Sequence, residues 1–201
     1  MASILVFYGT SQGQTAKIAD RIVGVLRDRG HTAEAIDAGQ LSDDFELTEY
    51  DAVLVGASIH GGKHQPEVRT LVTTDREDLT TRPTGFCQMC LTATRPDEES
   101  QAEAAGYVTA FVEDTGWQPD RIVIFGGALR YSEYGFLKRL VLKQLTKDIT
   151  GDTDTSRDYE YTDWDEVETF AADFATFVEE QLGIVASVSD AQKGVECRPV
   201  E

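Results

Sequence analysis

The chain has 201 residues, of which 36 are acidic and 18 basic, so its formal net charge is −18 at pH 7. This balance excludes a generic nucleic-acid-binding surface, which needs positive charge against the phosphates. The length suffices for one α/β domain, and no apolar run is long enough for a spanning helix. Three cysteines, an odd number, favour a reducing cytoplasm over a disulfide framework. Because the sequence opens on strand-like residues, we expect no signal peptide.

The acidic composition also suggests the conditions in which the protein works. Only six residues are lysines. An acidic, lysine-poor surface is typical of proteins in concentrated salt, where screening removes the cost of self-repulsion. We therefore hypothesise a halophilic source.

Apolar runs alternate with helical patterns along the chain. Strands are predicted at 4–7, 33–37, 52–57, 84–91 and 121–127, with a short strand at 159–161, and helices at 16–30, 66–74, 98–116, 136–147 and 163–182. This alternation predicts an α/β fold, a doubly wound parallel sheet of five strands in the order 2-1-3-4-5. We expect one domain over 1–183 and a flexible tail over 184–201.

The turn between the first strand and the first helix is rich in glycine and hydroxyl groups. It comprises Thr10, Ser11, Gln12, Gly13, Gln14 and Thr15 and contains no Lys or Arg. Backbone N–H groups and the positive end of the helix dipole converge on such a turn, so we expect it to hold a phosphate through neutral donors. It lacks the Gly-Lys-Ser/Thr ending of a P-loop. The alternative is an ordinary capped turn between a strand and a helix.

Two further loops leave the carboxyl ends of predicted strands. The second loop comprises Ser58, Ile59, His60, Gly61 and Gly62, and the third comprises Leu91, Thr92, Ala93, Thr94 and Arg95. Ligands of doubly wound sheets bind at these strand ends, and the first and third strands are neighbours in the predicted order. The loops that follow those two strands should therefore meet.

Histidines and cysteines near these loops have more than one interpretation. His60 and His64 titrate in a range useful for proton transfer, and the alternative is a pair of solvated loop histidines. A metal site is disfavoured because no third ligand lies nearby in the sequence. Cys87 and Cys90 have the spacing of a redox dithiol, but they lie in a strand-like run and are interpreted as buried strand cysteines.

A family resemblance adds to these patterns. The loop from Gly9 to Thr15 resembles the phosphate loop of flavodoxins, which bind flavin mononucleotide (FMN), and Gly13 and Thr15 occupy its most characteristic positions. Later segments are similar to the flavodoxin-like, menaquinone-dependent protoporphyrinogen oxidases. These segments are 56–62, 116–121, 127–131, 153–155 and 161–164. The resemblance runs from about residue 3 to about residue 182.

The resemblance implies an FMN-containing flavodoxin fold that oxidises protoporphyrinogen IX and passes the electrons to a membrane quinone. Thr10 to Thr15 would hold the phosphate, while Ser58 to Gly62 and Leu91 to Arg95 would flank the flavin ring. The second loop has His60-Gly61-Gly62 where an Arg-Tyr pair is more familiar in the family. The alternatives are a flavodoxin-type electron carrier without its own substrate, and another flavodoxin-like quinone reductase.

The resemblance also assigns an insertion after the fifth strand, at about 129–162. Its first part, 129–147, carries five basic residues and one acidic residue, and its apolar residues recur at helical spacing. Candidates for docking substrate or membrane are Arg130, Tyr131, Lys138, Arg139 and Lys143. Such a helix suits reversible contact with anionic lipid, which would place the protein at the inner face of the cell membrane. The alternative is a helix that packs its apolar stripe on the domain.

Overall fold

Parallel strands covered by helices build the fold of the computed structural model, which describes residues 1–42, 44–126, 128–129 and 159–184. The strands of the main sheet are β1 (Ser3–Gly9), β2 (Thr32–Asp37), β3 (Ala52–Ser58), β4 (Thr84–Cys90) and β5 (Arg121–Gly126). The helices are α1 (Gln14–Asp28), α2 (Pro66–Thr74), α3 (Arg76–Leu79), α4 (Glu98–Thr115) and α5 (Trp164–Gln181). The five strands pair in parallel in the order β2-β1-β3-β4-β5, which confirms the predicted topology.

Helices cover both faces of the sheet, which explains why the central strands are apolar along their length. Every residue of β4 is buried. On one face α1 and α5 pack together and enclose Ile22 and Phe174. On the other face Phe86 stacks on Phe111, and Trp117 meets both rings edge to face. In the described part of the chain, no helix is long and apolar enough to cross a membrane.

Local signals fix several helix ends. Helix α2 has the predicted bounds and begins at Pro66, since the proline ring favours the φ angle of a first helical residue and lacks the N–H that would be unpaired there. Asp163 caps α5, as one of the two predicted caps, by accepting hydrogen bonds from the N–H groups of Asp165 and Glu166. Asp97 caps α4 by accepting from the Ser100 N–H at 2.9 Å, and this bond lowers the pKa of its carboxyl.

Short elements differ most from the sequence prediction. Helix α3 was not predicted, and β4 ends one residue earlier than expected. The third loop is a 3₁₀ turn over Leu91–Thr94, and 3₁₀ turns also occur at Ala38–Gln40 and Leu47–Glu49. Such elements are too brief to show a periodic pattern of apolar residues.

A small antiparallel ladder stands at the base of the insertion. Strand β6 (Ala128–Leu129) pairs with β7 (Tyr159–Glu160), which places the short strand predicted at 159–161. The predicted helix at 136–147 and the docking candidates Arg130, Tyr131, Lys138, Arg139 and Lys143 lie outside the described residues. Residues 185–201 of the predicted tail lie outside them too, whereas Ile184 packs against the core.

Candidate functional site

The candidate site lies at the carboxyl ends of β1, β3 and β4. Gly9 at the end of β1 is paired with Ala57 of β3, and Ser58 at the end of β3 is paired with Met89 of β4. The loops that follow these strands therefore leave the sheet side by side. This is the arrangement expected at the switch point of the sheet, where ligands of doubly wound folds bind.

The loop after β1 turns directly into the amino end of α1. Gly13 has φ 76° and ψ −3°, in the left-handed region that residues with a side chain rarely adopt. Its N–H donates to the Thr10 hydroxyl at 2.8 Å, which holds the turn closed. The first turn of α1 carries no acidic residue. Its unpaired N–H groups and dipole thus favour an anion at this end of the helix.

Two buried polar atoms at the start of α1 lack a partner within the described chain. Thr15 is 1 % exposed and its hydroxyl makes no hydrogen bond, and the Gln14 side-chain oxygen is likewise unpaired. A buried polar group left in this state costs about 1–3 kcal/mol. The Thr15 hydroxyl can donate to a phosphate oxygen, and the Gln14 oxygen can accept from a sugar-alcohol hydroxyl. A phosphorylated ribityl chain such as that of FMN supplies both partners, so the residues present fit this cofactor.

Gln65, just before α2, joins the first two loops, and sequence reasoning missed it. Its side-chain nitrogen donates to the hydroxyls of Ser11 (3.2 Å) and Ser58 (2.6 Å), and its oxygen accepts from the Ser58 N–H (3.1 Å). A Cβ built on Gly9 would lie 2.6 Å from Val68 Cγ2 and 3.0 Å from the Gln65 Cβ, so a glycine at the end of β1 leaves room for both side chains. One signal was visible: Gln is a poor helix cap, and Gln65 makes no cap hydrogen bond.

Gln14 connects the same loop to the far end of the insertion. Its side-chain nitrogen donates to the Thr162 hydroxyl at 2.9 Å, and that hydroxyl donates to the Gly126 carbonyl at 3.1 Å. The backbones are close here, since a Cβ on Gly126 would lie 2.5 Å from the Tyr161 carbonyl oxygen. The segment that returns from the insertion is therefore held against the end of β5 and the start of α1.

The second loop closes in a tight reversal. The backbones of His60 and Lys63 are hydrogen-bonded to each other in both directions. Gly61 and Gly62 both have positive φ, as a two-residue turn of type I′ requires. His60 is exposed at this turn, in agreement with the solvated alternative.

The alternative that His64 is a solvated loop histidine is wrong. The chain reverses its direction at this turn, and His64 lies buried between β4 and α4, with 8 % of its surface exposed. Its ring nitrogen Nε2 lies 2.9 Å from the Gln88 side-chain oxygen, and its ring centre lies 4.7 Å from that of Phe111. Burial lowers the pKa of the imidazole. Within the described ranges no three His, Cys, Asp or Glu side chains group around a metal-sized site.

The third loop and the strand before it complete the site. Leu91, Thr92, Ala93, Thr94 and Arg95 are all partly exposed, so they are accessible to a ligand. The Gln101 side chain donates to the Ala93 carbonyl at 3.0 Å and holds the loop to α4. Cys87 and Cys90 are buried in β4, as interpreted from the sequence, and burial raises the pKa of the Cys87 thiol to about 12.

Comparison with known proteins agrees with this architecture and site. The flavodoxin domain model matches residues 5–156. The chain is 30 % identical to a protoporphyrinogen IX dehydrogenase [quinone] of Escherichia coli K12 over 171 residues, which is 85 % of this chain and 93 % of that protein. It is 33 % identical to the protein of the same name from Leishmania major, over 85 % of this chain and 74 % of that one.

Solved structures show the same fold. A short-chain flavodoxin associated with a bacterial microcompartment superimposes with a TM-score of 0.54, over 90 % of this chain and 99 % of that one, at 14 % identity. The fold and the cradle at the start of α1 thus define a flavodoxin-like oxidoreductase whose cofactor is FMN. The chain belongs to the flavodoxin domain family and, within it, to the family of the quinone-dependent protoporphyrinogen IX dehydrogenases.

Proposed function

We propose that the protein oxidises protoporphyrinogen IX to protoporphyrin IX and that a membrane quinone accepts the electrons. The observation that carries this proposal is the identity of 30–33 % to two dehydrogenases of that name over 85 % of the chain. The family match also continues to residue 156, through most of the insertion.

The residues of the chain have distinct parts in this proposal. FMN, when bound, supplies the group that accepts hydrogen and electrons from the substrate. The hydroxyls and backbone N–H groups of Thr10 to Thr15 hold the phosphate, and all of these donors are neutral. The second loop, Ser58 to Gly62, and the third loop, Leu91 to Arg95, lie beside the ring and leave it open to a flat substrate. These assignments rest on the shared strand edge from which the three loops leave.

The insertion is proposed to dock the substrate or the membrane. Residues 129–147 carry five basic residues in a protein of net charge −18. Arg130, Lys138, Arg139 and Lys143 suit the carboxylates of a porphyrinogen or anionic lipid, and Tyr131 suits a flat ring. Support comes from the base of the insertion, since β6 and β7 pair there and Thr162 is hydrogen-bonded to Gln14 of the cofactor loop. We propose that the protein works in the cytoplasm, in reversible contact with the inner face of the membrane.

Steady-state turnover tests the proposal. FMN-loaded protein is mixed with protoporphyrinogen IX and a soluble quinone without oxygen, and porphyrin fluorescence is followed. Fluorescence that rises in proportion to added quinone supports it. A matched pair of variants then tests the docking surface: Arg139→Ala together with Lys143→Ala should raise KM, whereas Arg121→Ala on β5 should leave KM unchanged. No porphyrin at any quinone concentration, from protein that a reductase can reduce, would favour the electron-carrier alternative.

A further inference from the structure

The Gln65 side chain connects the loop after β1 to the end of β3. It is 9 % exposed, it immediately precedes α2, and its side chain reaches the ends of two neighbouring strands. The three hydrogen bonds of its amide go to Ser11 on the loop after β1 and to Ser58 at the end of β3. Two serines that are 47 positions apart in sequence thus share one amide group.

The orientation of this amide follows from its backbone partner. The Ser58 N–H can only donate, so the Gln65 atom that faces it at 3.1 Å must be the oxygen. The NH₂ group must then face the two serine hydroxyls, and each of its hydrogens serves one of them. A rotation of the amide by 180° would put two N–H donors against each other, so this assignment is fixed by chemistry.

The fixed amide determines what each hydroxyl can do. A serine hydroxyl has one hydrogen to donate and two lone pairs to accept with. Since Gln65 donates to both oxygens, each hydroxyl uses a lone pair there and keeps its own hydrogen for another acceptor. Ser11 is exposed and Ser58 partly so, and Ser11 lies within the turn that Gly13 and Thr10 close. Two hydroxyl hydrogens, one on each of two neighbouring loops, are therefore available to another acceptor, and the loop at 10–15 that carries Ser11 contains no Lys or Arg.

We propose that Gln65 is a positioning residue that makes the Ser11 and Ser58 hydroxyls donors to the FMN phosphate. The proposal rests on FMN binding in this cradle and is independent of the substrate. It also moves Ser58 from the ring-flanking role expected from the sequence to the phosphate end of the site. Gly9 leaves space for this arrangement, because a Cβ there would lie 2.6 Å from Val68 Cγ2 and 3.0 Å from the Gln65 Cβ.

Flavin fluorescence titration of the apoprotein tests the proposal with two probes, FMN and riboflavin, which lacks the phosphate. Gln65→Glu has the same shape, but its carboxylate accepts from the serines and repels the phosphate. We expect FMN affinity to fall by about 10- to 100-fold, as for charge-assisted hydrogen bonds, and riboflavin affinity by less than about threefold. Gln65→Met keeps the length of the side chain but has no hydrogen-bond donors. Its FMN affinity should lie between those of wild type and Gln65→Glu.

A Ser11→Ala/Ser58→Ala protein supplies the matched control. In that background Gln65→Met should have little further effect on FMN affinity, because a positioning residue acts through the groups it positions. The melting temperature of each apoprotein shows whether it folds. If Gln65→Glu does not fold, the Ser11→Ala/Ser58→Ala protein decides by itself, through its preference for FMN over riboflavin. The proposal would be overturned if Gln65→Glu lost equal affinity for FMN and riboflavin. It would also be overturned if the Ser11→Ala/Ser58→Ala protein preferred FMN over riboflavin as strongly as wild type does. Wild-type protein that binds neither flavin would instead refute the cofactor assignment.

Discussion

The Gln14 side-chain nitrogen donates to the Thr162 hydroxyl at 2.9 Å and so joins two residues that are 148 positions apart. The Thr162 hydroxyl in turn donates to the Gly126 carbonyl at 3.1 Å. One hydroxyl thereby links the first turn of α1, the end of β5 and the segment that returns from the insertion. The structure thus ties the part of the chain that identifies the cofactor to the part that we propose docks the substrate.

Replacing Thr162 tests this link. Thr162→Val keeps the shape but removes the hydroxyl, leaving the Gln14 nitrogen and the Gly126 carbonyl without their partner. We expect a loss of about 1–3 kcal/mol in the free energy of unfolding, measured by urea denaturation, with weaker FMN binding. Thr162→Ser keeps the hydroxyl and should retain most of the stability and most of the FMN affinity. Equal behaviour of the two variants would contradict the link.

Thr15 should show a conflict between stability and function. Among the described residues its buried hydroxyl has no hydrogen-bond partner, so Thr15→Val removes a polar group whose burial is costly. We expect the apoprotein to become more stable by about 1 kcal/mol while FMN affinity falls about tenfold. Both are measured on one preparation, by thermal unfolding and by quenching of flavin fluorescence.

Thr115 is the matched control for Thr15. It is also buried, but its hydroxyl donates to the Phe111 carbonyl at 2.7 Å, far from the cofactor loops. Thr115→Val should therefore destabilise the protein and leave FMN affinity unchanged. If Thr15→Val instead destabilises the apoprotein and binds FMN normally, Thr15 is a core residue and does not contact the phosphate.

Acid should weaken the fold through His64. Burial lowers the pKa of this imidazole below the value of about 6.5 that it has in the unfolded chain. The unfolded state then binds more protons, so the stability contributed by neutral His64 is complete above pH 6.5 and is lost as the pH falls below it. Urea denaturation between pH 7.5 and 5 measures this loss. In His64→Gln the free energy of unfolding should depend less steeply on pH than in wild type. Identical slopes for the two proteins would show that His64 does not titrate on unfolding.

The net charge of −18 predicts stabilisation by salt. Ion pairs such as Arg69–Asp114 are exposed and contribute little, so screening should remove more repulsion than attraction. We expect the melting temperature to rise between low and molar KCl, by about 2–4 °C for each kcal/mol gained. A maximum at low salt would contradict the halophilic hypothesis.

Much of the fold could be predicted because its signals are local. The apolar run of β3 marks a strand covered on both faces, and Pro66 marks the first residue of α2. The positions of the loops follow from the strand ends. The roles of Gln65 and Thr162 could not be predicted, since their partners are distant in the chain and leave no periodic pattern. His64 was misplaced because the Gly61-Gly62 turn reverses the chain, and the sequence does not show which side the next residue faces.

The central claim is that this flavoprotein takes electrons from protoporphyrinogen IX itself. A single anaerobic mixing of the FMN-loaded protein with protoporphyrinogen IX, without quinone, tests it most directly. Six electrons leave each porphyrinogen and each flavin accepts two, so with three or more flavins per porphyrinogen the flavin absorbance should bleach as porphyrin fluorescence appears. With porphyrinogen in excess the oxidation should stop when the flavin is spent, and added quinone should restart it. Flavin that stays oxidised in the presence of the porphyrinogen, yet is readily reduced by a flavodoxin reductase, would contradict the claim.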